Sequence, residues 1–328
     1  MRNKYVADGE AFLKSCVFHG LAHSYDIRTG KYVKPYPEVT GYIIKYFCDH
    51  GNDIPSNIVR AANKLVRIQD KKTGGYASFD SNDILFAFDT SQILIGLAAI
   101  YLRTKKEKYK RAAIKAGEFL LMMQMNNGAI APIFDRKKSE IVISEQHYSI
   151  WNGPWSGLMC KLTEGFQALY DITNDEKYMT AKEKTASFYA DAEYIECTHP
   201  MGYWLEGLYE GKKFDKVDEI LKDKVIPRIR NNGYIAYKED LDYAYTSGII
   251  QLGIILFKRG FTDEADRIRD FARVVQSKTS SGGIVQYCDK DGNIDNHIHT
   301  EINSWGTKYY CELERMMDKA EQCIKRLD

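Results

Sequence analysis

The chain has 328 residues, with 46 Lys and Arg against 45 Asp and Glu, and a formal net charge of +1. Hydrophobic residues make up 44% and charged residues 28%, a globular composition without the basic excess typical of nucleic-acid binding. No stretch approaches the roughly 18 apolar residues of a membrane span, so we expect a soluble protein that binds neither nucleic acid nor a membrane.

The first segment, MRNKYVADGEAFLKSC, has no long apolar core such as a signal peptide carries. The seven cysteines lack the paired short spacings of a zinc site and the density of a secreted disulfide scaffold. We therefore predict an unprocessed protein of the reducing cytoplasm.

An internal repeat of helix, glycine turn and helix runs along the chain. Amphipathic segments predict six outer helices, near 5–17, 56–69, 107–125, 176–191, 213–229 and 262–276. Glycines such as Gly74, Gly128, Gly233 and Gly282 follow several of these segments, where a left-handed cap would end a helix.

The segments after the turns are apolar around most of their circumference and rich in Gly, Ala and Ser, which is typical of helices buried on nearly all sides. Six such inner helices begin near Glu38, Asp89, Pro154, His199, Tyr243 and Glu301. The predicted fold class is all-α, an (α/α)6 toroid of about six helical hairpins with inner and outer rings. A single domain over 1–328 is expected, since toroids of this size fold around one core.

Long connections lead into the inner helices at 18–36, 70–87, 126–153 and 277–300. Connections above about 12–15 residues are uncommon unless they are functional, so we predict the functional site at this end of the ring. Little β-structure is expected, in short hairpins within 128–143 and 283–295.

Polar residues at the amino ends of the inner helices would converge on one mouth of the ring. Burying a carboxylate inside an apolar segment costs free energy, so such a group is expected to form an ion pair or hydrogen bonds, or to have a role in function. The candidate catalytic residues are Glu38, Asp89, His299, Glu301 and Tyr245. The candidate substrate-binding residues, several of them aromatic and suited to a sugar ring, are Tyr36, Gln92, Trp151, Trp155, His199, Trp204, Tyr243, His297, Asn303 and Trp305.

Structural interpretations of the same residues stay open at this point. Glu38 and Asp89 could complement the positive end of a helix dipole. Trp151 and Trp155 could equally pack in the core. Repetition favours function, because acidic residues enter corresponding positions of the first, second and sixth inner helices.

Metal binding is the rival interpretation of the histidines. His297 and His299 with Glu301 nearby, or Cys197 with His199, could contribute zinc ligands. Neither group has the full short-spaced ligand set, so no metal is predicted. No other cofactor is predicted either, since the phosphate-binding and dinucleotide-binding glycine motifs and the Gly-x-Ser-x-Gly elbow are absent.

Two turns, IQDKKTGGYASF and VQSKTSSGGIVQY, resemble the Gln-to-Gly repeats of terpenoid cyclases and protein prenyltransferases, which are α/α toroids. The Asp-x-Asp-Asp proton donor of the cyclases is replaced by Asp-Ser-Asn-Asp at 80–83, and the zinc ligands of the prenyltransferases have no match. This resemblance implies the fold and not the reaction.

Longer segments resemble the helical toroid proteins of bacterial surface-polysaccharide gene clusters, among them YPEVTGYII, FDTSQILIGLAAIY, THPMGYWLEGLYEG and EINSWGTKYYCEL. The segment SGLMCKLTEGFQALYDITNDEKY is also similar to the carboxy-terminal helical domain of D-glucuronyl C5-epimerases. These resemblances imply an enzyme of polysaccharide metabolism.

We therefore predict an enzyme that acts on an acidic saccharide, either a uronic-acid C5-epimerase or a lyase. Both reactions remove a proton beside a carboxylate and need a base, an acid and a cation. The candidate cations are Lys34, Lys161 and Lys308. A glycoside hydrolase that uses two of the carboxylates named above, and a non-catalytic toroid that binds a saccharide or lipid, remain alternatives. The oligomeric state is left open.

Overall fold

The inner ring of the molecule is a closed circle of helices. The computed structural model describes residues 3–78, 83–143, 153–294 and 300–324. The inner helices are α2 (Pro37–His50), α4 (Ala87–Thr104), α6 (Leu162–Thr173), α8 (Thr198–Glu210), α10 (Thr246–Lys258) and α12 (Ser304–Ile324). Each inner helix packs against the next, and α12 packs against α2, which closes the ring.

The outer ring surrounds this circle with antiparallel partners. Its helices are α1 (Lys4–Cys16), α3 (Ser56–Ile68), α5 (Glu107–Met123), α7 (Glu176–Ala190), α9 (Phe214–Ile220) and α11 (Thr262–Ser277). Helix α3 buries only Ile58, Ala61, Ala62 and Leu65, whereas α10 buries every residue over 246–256. The predicted toroid of inner and outer helices is confirmed. Within the part of the chain described, no helix combines the length and apolarity of a bilayer-crossing segment.

Three inner helices begin later than the sequence predicts. A 3-10 turn over Gly157–Lys161 precedes α6, so regular α-helix starts at Leu162 and not at Pro154. Helix α10 starts at Thr246, after a two-residue strand. Helix α12 starts at Ser304, because the residues before it are extended.

Short strands cover the end of the ring where the inner helices begin. They are β1 (Val17–Phe18), β2 (Leu21–Asp26), β3 (Lys31–Tyr36), β4 (Ile84–Phe86), β5 (Ile133–Asp135), β6 (Glu140–Val142), β7 (Ala244–Tyr245), β8 (Ile284–Val285), β9 (Tyr287–Cys288) and β10 (Glu301–Asn303). Strand β2 lies between β1 and β10 and also pairs with β3, and β10 pairs with β8. This antiparallel sheet joins the first connection of the chain to the last.

The predicted hairpin within 128–143 is confirmed as β5 and β6. Within the described part of 283–295 only an isolated antiparallel bridge joins Cys288 to Ile294, and strands β8 and β9 pair instead with β10 and β7. The sheet built from 17–36 was not predicted from the sequence. Strand β2 pairs locally with β1 and β3, whereas its pairing with β10, as of Tyr25 with Ile302, joins distant segments and leaves no local signal.

Neighbouring inner helices approach to backbone contact. A Cβ atom added to Gly41 of α2 would lie 2.2 Å from the carbonyl oxygen of Gln92 in α4. One added to Gly96 of α4 would lie 2.5 Å from the carbonyl oxygen of Gly41. Only hydrogen atoms fit between the two backbones at these positions, so the closure of the ring depends on small residues here.

We expect Gly41→Ala to lower the free energy of unfolding by about 1–3 kcal/mol, because the added methyl group forces the two backbones apart. Without this close approach the same change would stabilise the helix by up to about 1 kcal/mol, since alanine has the higher helix propensity. Urea unfolding followed by circular dichroism measures the difference, and a stabilised variant would contradict the packing.

Gly96→Ala provides the matched variant across the same interface. It should also destabilise the protein, and the double variant should lose less than the sum of the two single losses, because one separation of α2 from α4 relieves both contacts.

Candidate active site

A cavity of about 560 Å³ opens at the end of the ring where the inner helices begin. Each of the four long connections contributes to its wall, through Tyr36, Ser78, Pro132 and Gln286. The inner helices contribute most of the polar and aromatic groups. We call this space the mouth cavity.

Two carboxyl groups, on adjacent inner helices, line the mouth cavity. Glu38 lies in the first turn of α2 and Asp89 in the first turn of α4. Burial raises the pKa of Glu38 well above its ordinary value, the nearby charge of Asp89 raises it further, and the Tyr42 hydroxyl lowers it by less. Burial also raises the pKa of Asp89 to about 7, against opposing hydrogen bonds from Ser78 and from its own backbone N–H. Near neutral pH this pair can therefore both donate and accept a proton.

A histidine shares the cavity with these acids. His199, in the first turn of α8, is only 3% exposed, and its Nδ1 is hydrogen-bonded to Oε1 of Gln251. Burial lowers the pKa of His199 to about 3; the bond to Gln251 opposes this change, and the charge of Lys161 adds to it. Its ring stacks on Tyr245, with centroids 4.6 Å apart. The imidazole is neutral at physiological pH and can act as a base.

Aromatic side chains form much of the remaining wall. The rings of Tyr36 and Trp305 meet edge to face at 5.7 Å, and those of Phe88 and Tyr203 at 5.0 Å. Burial raises the pKa of both Tyr203 and Tyr245 well above the ordinary value, so these phenols stay protonated. Such a wall offers apolar faces and hydroxyl groups together, which suits a sugar.

Six residues predicted from the sequence line this one cavity, namely Tyr36, Glu38, Asp89, His199, Tyr245 and Trp305. Tyr243 does not line the cavity, and one tyrosine ring separates it from Tyr245 in the cavity wall. Its ring contacts Tyr287 at 5.5 Å, and Tyr287 in turn contacts Tyr245 at 4.9 Å.

Two predicted tryptophans lie elsewhere. Trp204 is 1% exposed and packs against Gly157, and its Nε1 donates a hydrogen bond to the carbonyl oxygen of Tyr189 at 2.8 Å. It is a core residue. Trp155 is 55% exposed and lies against Phe188 of the outer helix α7. Neither side chain is placed to bind a ligand in the mouth cavity.

Three predicted polar residues also lie off the cavity wall. Asn303 is buried and its Oδ1 accepts a hydrogen bond from the backbone N–H of Gly306 at 2.7 Å, which caps α12. Glu301 lies in β10, paired with Asp26, because this stretch is extended where the sequence predicted helix. Gln92 is fully buried in α4, and its amide has no hydrogen-bond partner among the described residues.

Trp151, His297, His299 and the side chain of Lys34 lie outside the described residues. The zinc interpretation of the two histidines therefore stays a hypothesis. Within the described ranges, no group of three His, Cys, Asp or Glu side chains could hold a metal ion.

The other two candidate cations face the opposite end of the ring axis, where a second cavity of about 420 Å³ opens. Lys161 forms ion pairs with Glu164 and Glu206, and Lys308 forms one with Glu312. No lysine or arginine side chain of the described residues lines the mouth cavity. This corrects the assignment of Lys161 and Lys308 as direct partners of a substrate carboxylate.

Sequence reasoning missed Tyr203, Ser78 and Gln286 in the cavity wall. Tyr203 could have been found, because it follows His199 by four residues and so shares its face of α8. Trp204, one residue further, points away. Ser78 and Gln286 lie outside regular helices, where no periodicity shows which way a side chain points.

Comparison with known proteins supports the fold. The model of the pectic acid lyase family matches residues 69–152. No curated protein matches the sequence. The structure is similar to a cellobiose 2-epimerase from Spirochaeta thermophila, with TM-score 0.74 and 11% identity over 96% of this chain and 97% of that one.

A D-mannose isomerase is similar as well, with TM-score 0.71 and 10% identity over 94% of this chain and 95% of that one. An unsaturated glucuronyl hydrolase from Bacillus sp. GL1 is also similar, with TM-score 0.65 and 13% identity over 94% of this chain and 93% of that one. These likenesses show an α/α toroid. The resemblances to terpenoid cyclases and glucuronyl C5-epimerases remain predictions.

We expect Asp89→Asn to raise the free energy of unfolding at pH 8 by about 2–4 kcal/mol, at about 1.4 kcal/mol per pKa unit, and to change it little at pH 4. An acid whose pKa is higher in the folded protein binds its proton more tightly there, so stability falls as the pH rises from about 4 through 7. The amide of the variant does not ionise, so the free energy of unfolding of the variant does not fall in this way as the pH rises. Urea unfolding at both pH values measures the effect.

The exposed Asp240→Asn serves as the control and should change the stability by the same small amount at both pH values. If Asp89→Asn behaved like this control, the carboxyl of Asp89 would not be desolvated in the native protein.

Proposed function

We propose that the protein is a sugar-processing enzyme that transfers a proton at the carbon beside the carboxylate of an acidic saccharide, as a uronic-acid epimerase or lyase. One observation carries this proposal. The mouth cavity holds a carboxyl group with a pKa of about 7, Asp89, together with a neutral imidazole, His199.

Proton abstraction needs a base in its neutral or anionic form and an acid that still carries its proton. At neutral pH His199 is unprotonated on one ring nitrogen. Burial opposes its protonation in the substrate-free protein, and the negative charge of a bound substrate carboxylate would favour the imidazolium, so the ring accepts the proton from carbon in the complex. Asp89 can then return a proton to the other face of the carbon, which gives epimerisation, or to the leaving oxygen, which gives elimination. Such a pair typically contributes about 10²–10⁴-fold to the rate.

The negative charge that develops on the substrate carboxylate must also be stabilised. Protonated Glu38 and the phenols of Tyr203 and Tyr245 are hydrogen-bond donors in the same cavity. In a water-poor site these neutral donors can hold a carboxylate and avoid the cost of burying a cation. In this proposal these donors stabilise the substrate carboxylate, a role that the sequence analysis assigned to a lysine.

The comparisons support an enzyme that processes an acidic saccharide. The segment that matches the pectic acid lyase model contains Asp89, and that family is named for a lyase of an acidic saccharide. The similar structures include an epimerase and a hydrolase of unsaturated glucuronyl groups. The cavity volume of about 560 Å³ lies within the range of about 300–1,000 Å³ for small-ligand sites and suits a short saccharide segment.

A glycoside hydrolase is the second candidate. It is favoured by the paired carboxyl groups of Glu38 and Asp89, which lie close enough for the charge of one to raise the pKa of the other. Hydrolysis uses one protonated and one ionised carboxyl group, and this pair supplies both near neutral pH. Its products distinguish it from the first candidate.

The experiment is proton NMR of the protein with uronic-acid oligosaccharides in deuterated water. We expect deuterium at C5 without chain cleavage for an epimerase, or an unsaturated end for a lyase. Asp89→Asn should lower kcat at least about 100-fold, because the amide cannot transfer a proton. Asp240→Asn, at an exposed position that does not line the cavity, should retain wild-type turnover.

New reducing ends without deuterium or unsaturation would replace this proposal with the hydrolase. Binding of the oligosaccharides without turnover, unchanged by Asp89→Asn, would contradict both enzymes and identify a saccharide-binding protein.

A further inference from the structure

Polar side chains continue along the axis of the ring beneath the mouth cavity. On α8, Glu206 follows His199 by seven residues and Tyr203 by three, so all three share one helix face. On the adjacent α10, Gln251 follows Ser247 by four residues. These two faces meet and bury their polar groups against each other.

A continuous set of hydrogen bonds connects His199 to an ion pair below it. Lys161 Nζ donates to Glu206 Oε2 at 2.7 Å, and Gln251 Nε2 donates to the same oxygen at 3.1 Å. The amide oxygen of Gln251 then faces Nδ1 of His199. None of these four residues is more than 6% exposed. We call them the axial relay.

The chemistry of the relay sets the direction of each bond. A lysine ammonium group can only donate, and an ionised carboxylate can only accept. Burial lowers the pKa of Lys161, but the charges of Glu164 and Glu206 and their hydrogen bonds outweigh it and keep that pKa above its ordinary value, so the ammonium group stays charged and Glu206 Oε2 accepts its hydrogen bond. Gln251 must therefore turn its NH₂ group to Glu206 and its oxygen to His199.

An amide oxygen accepts hydrogen bonds, so Nδ1 of the neutral His199 must carry the proton. Ser247 Oγ lies 3.4 Å from the same Nδ1 and offers a second acceptor. Among the described residues, the titratable groups that contact the ring or act on its charge are Tyr203, Tyr245 and Lys161. All three stay protonated near neutral pH, so none of them exchanges the proton that this tautomer depends on.

Close packing holds the amide in place. A Cβ atom on Gly202 of α8 would lie 2.9 Å from Cβ and 3.2 Å from Oε1 of Gln251. A Cβ atom on Gly248 of α10 would lie 2.6 Å from the backbone nitrogen of His199. The two helices touch at these glycines, which leaves the side chain of Gln251 little room to move.

We propose that Glu206, acting through Gln251, is a positioning residue that holds His199 in the tautomer with the proton on Nδ1, so that Nε2 is the nitrogen that exchanges a proton with substrate. The role in proton exchange rests on the proposed function. The tautomer is a property of the protein without any substrate.

The first measurement is a long-range ¹H–¹⁵N correlation spectrum of protein labelled with ¹⁵N-histidine, recorded without ligand between pH 6 and 8. The His199 signals are assigned by their loss in His199→Gln. We expect a protonated Nδ1 and an unprotonated Nε2 throughout this range. A proton on Nε2, or a doubly protonated ring, would overturn the proposal.

Glu206→Met tests the relay with a change of similar size. It removes the oxygen that accepts from both Lys161 and Gln251, so the amide of Gln251 is no longer held with its oxygen toward Nδ1. We expect the proton of His199 to be no longer confined to Nδ1, with part of the population carrying it on Nε2. Glu210→Met, one turn further along α8 at an ion pair with Lys182, is the control and should leave the tautomer unchanged.

Gln251→Met provides a second variant of similar size if Glu206→Met does not fold. It removes the acceptor, so the proton should no longer be confined to Nδ1, and kcat should fall at least about tenfold while KM changes less. A proton that stays on Nδ1 in every folded variant would overturn the role of the relay. The expected tautomer in a protein without turnover would contradict the proposed function alone.

Discussion

The close contact between inner helices is the constraint on which the rest of this molecule depends. Glycines at the α2–α4 and α8–α10 interfaces let backbones touch, and the ring closes around a narrow axis. Because the axis is narrow, side chains that start on different helices meet within hydrogen-bonding distance, as Gln251 and Glu206 do. The same closure removes water from the first turns of the inner helices and raises the pKa values of Glu38 and Asp89.

The buried ionisable groups at the two ends of the ring axis avoid unpaired charge in different ways. At the mouth cavity burial favours the neutral forms, because it raises the pKa values of Glu38 and Asp89 and lowers that of His199, while the phenols are neutral already. At the opposite end, lysines and glutamates stay charged and form ion pairs. In the proposed reaction the neutral groups of the mouth cavity transfer protons, and the ion pairs beneath it hold the polar groups above in a fixed orientation.

Part of this site was predictable, since Glu38, Asp89 and His199 stand out as polar residues at the starts of apolar helices. Trp204 and Asn303 were chosen by the same reasoning and proved to be a core residue and a helix cap. Residue type cannot separate these cases, because a one-residue step turns a helical side chain by about 100°. The four-residue spacing from His199 to Tyr203 was the better signal.

The sequence by itself determined the alternation of amphipathic and fully apolar helices, and with it the double ring, because burial requires that pattern locally. It also located the end of the ring that carries the long connections. Only the tertiary structure decided which side chains share the mouth cavity, which lysines are ion-paired, and which side chain faces Nδ1 of His199. Each of these depends on contacts between helices far apart in the chain and on the water that those contacts exclude.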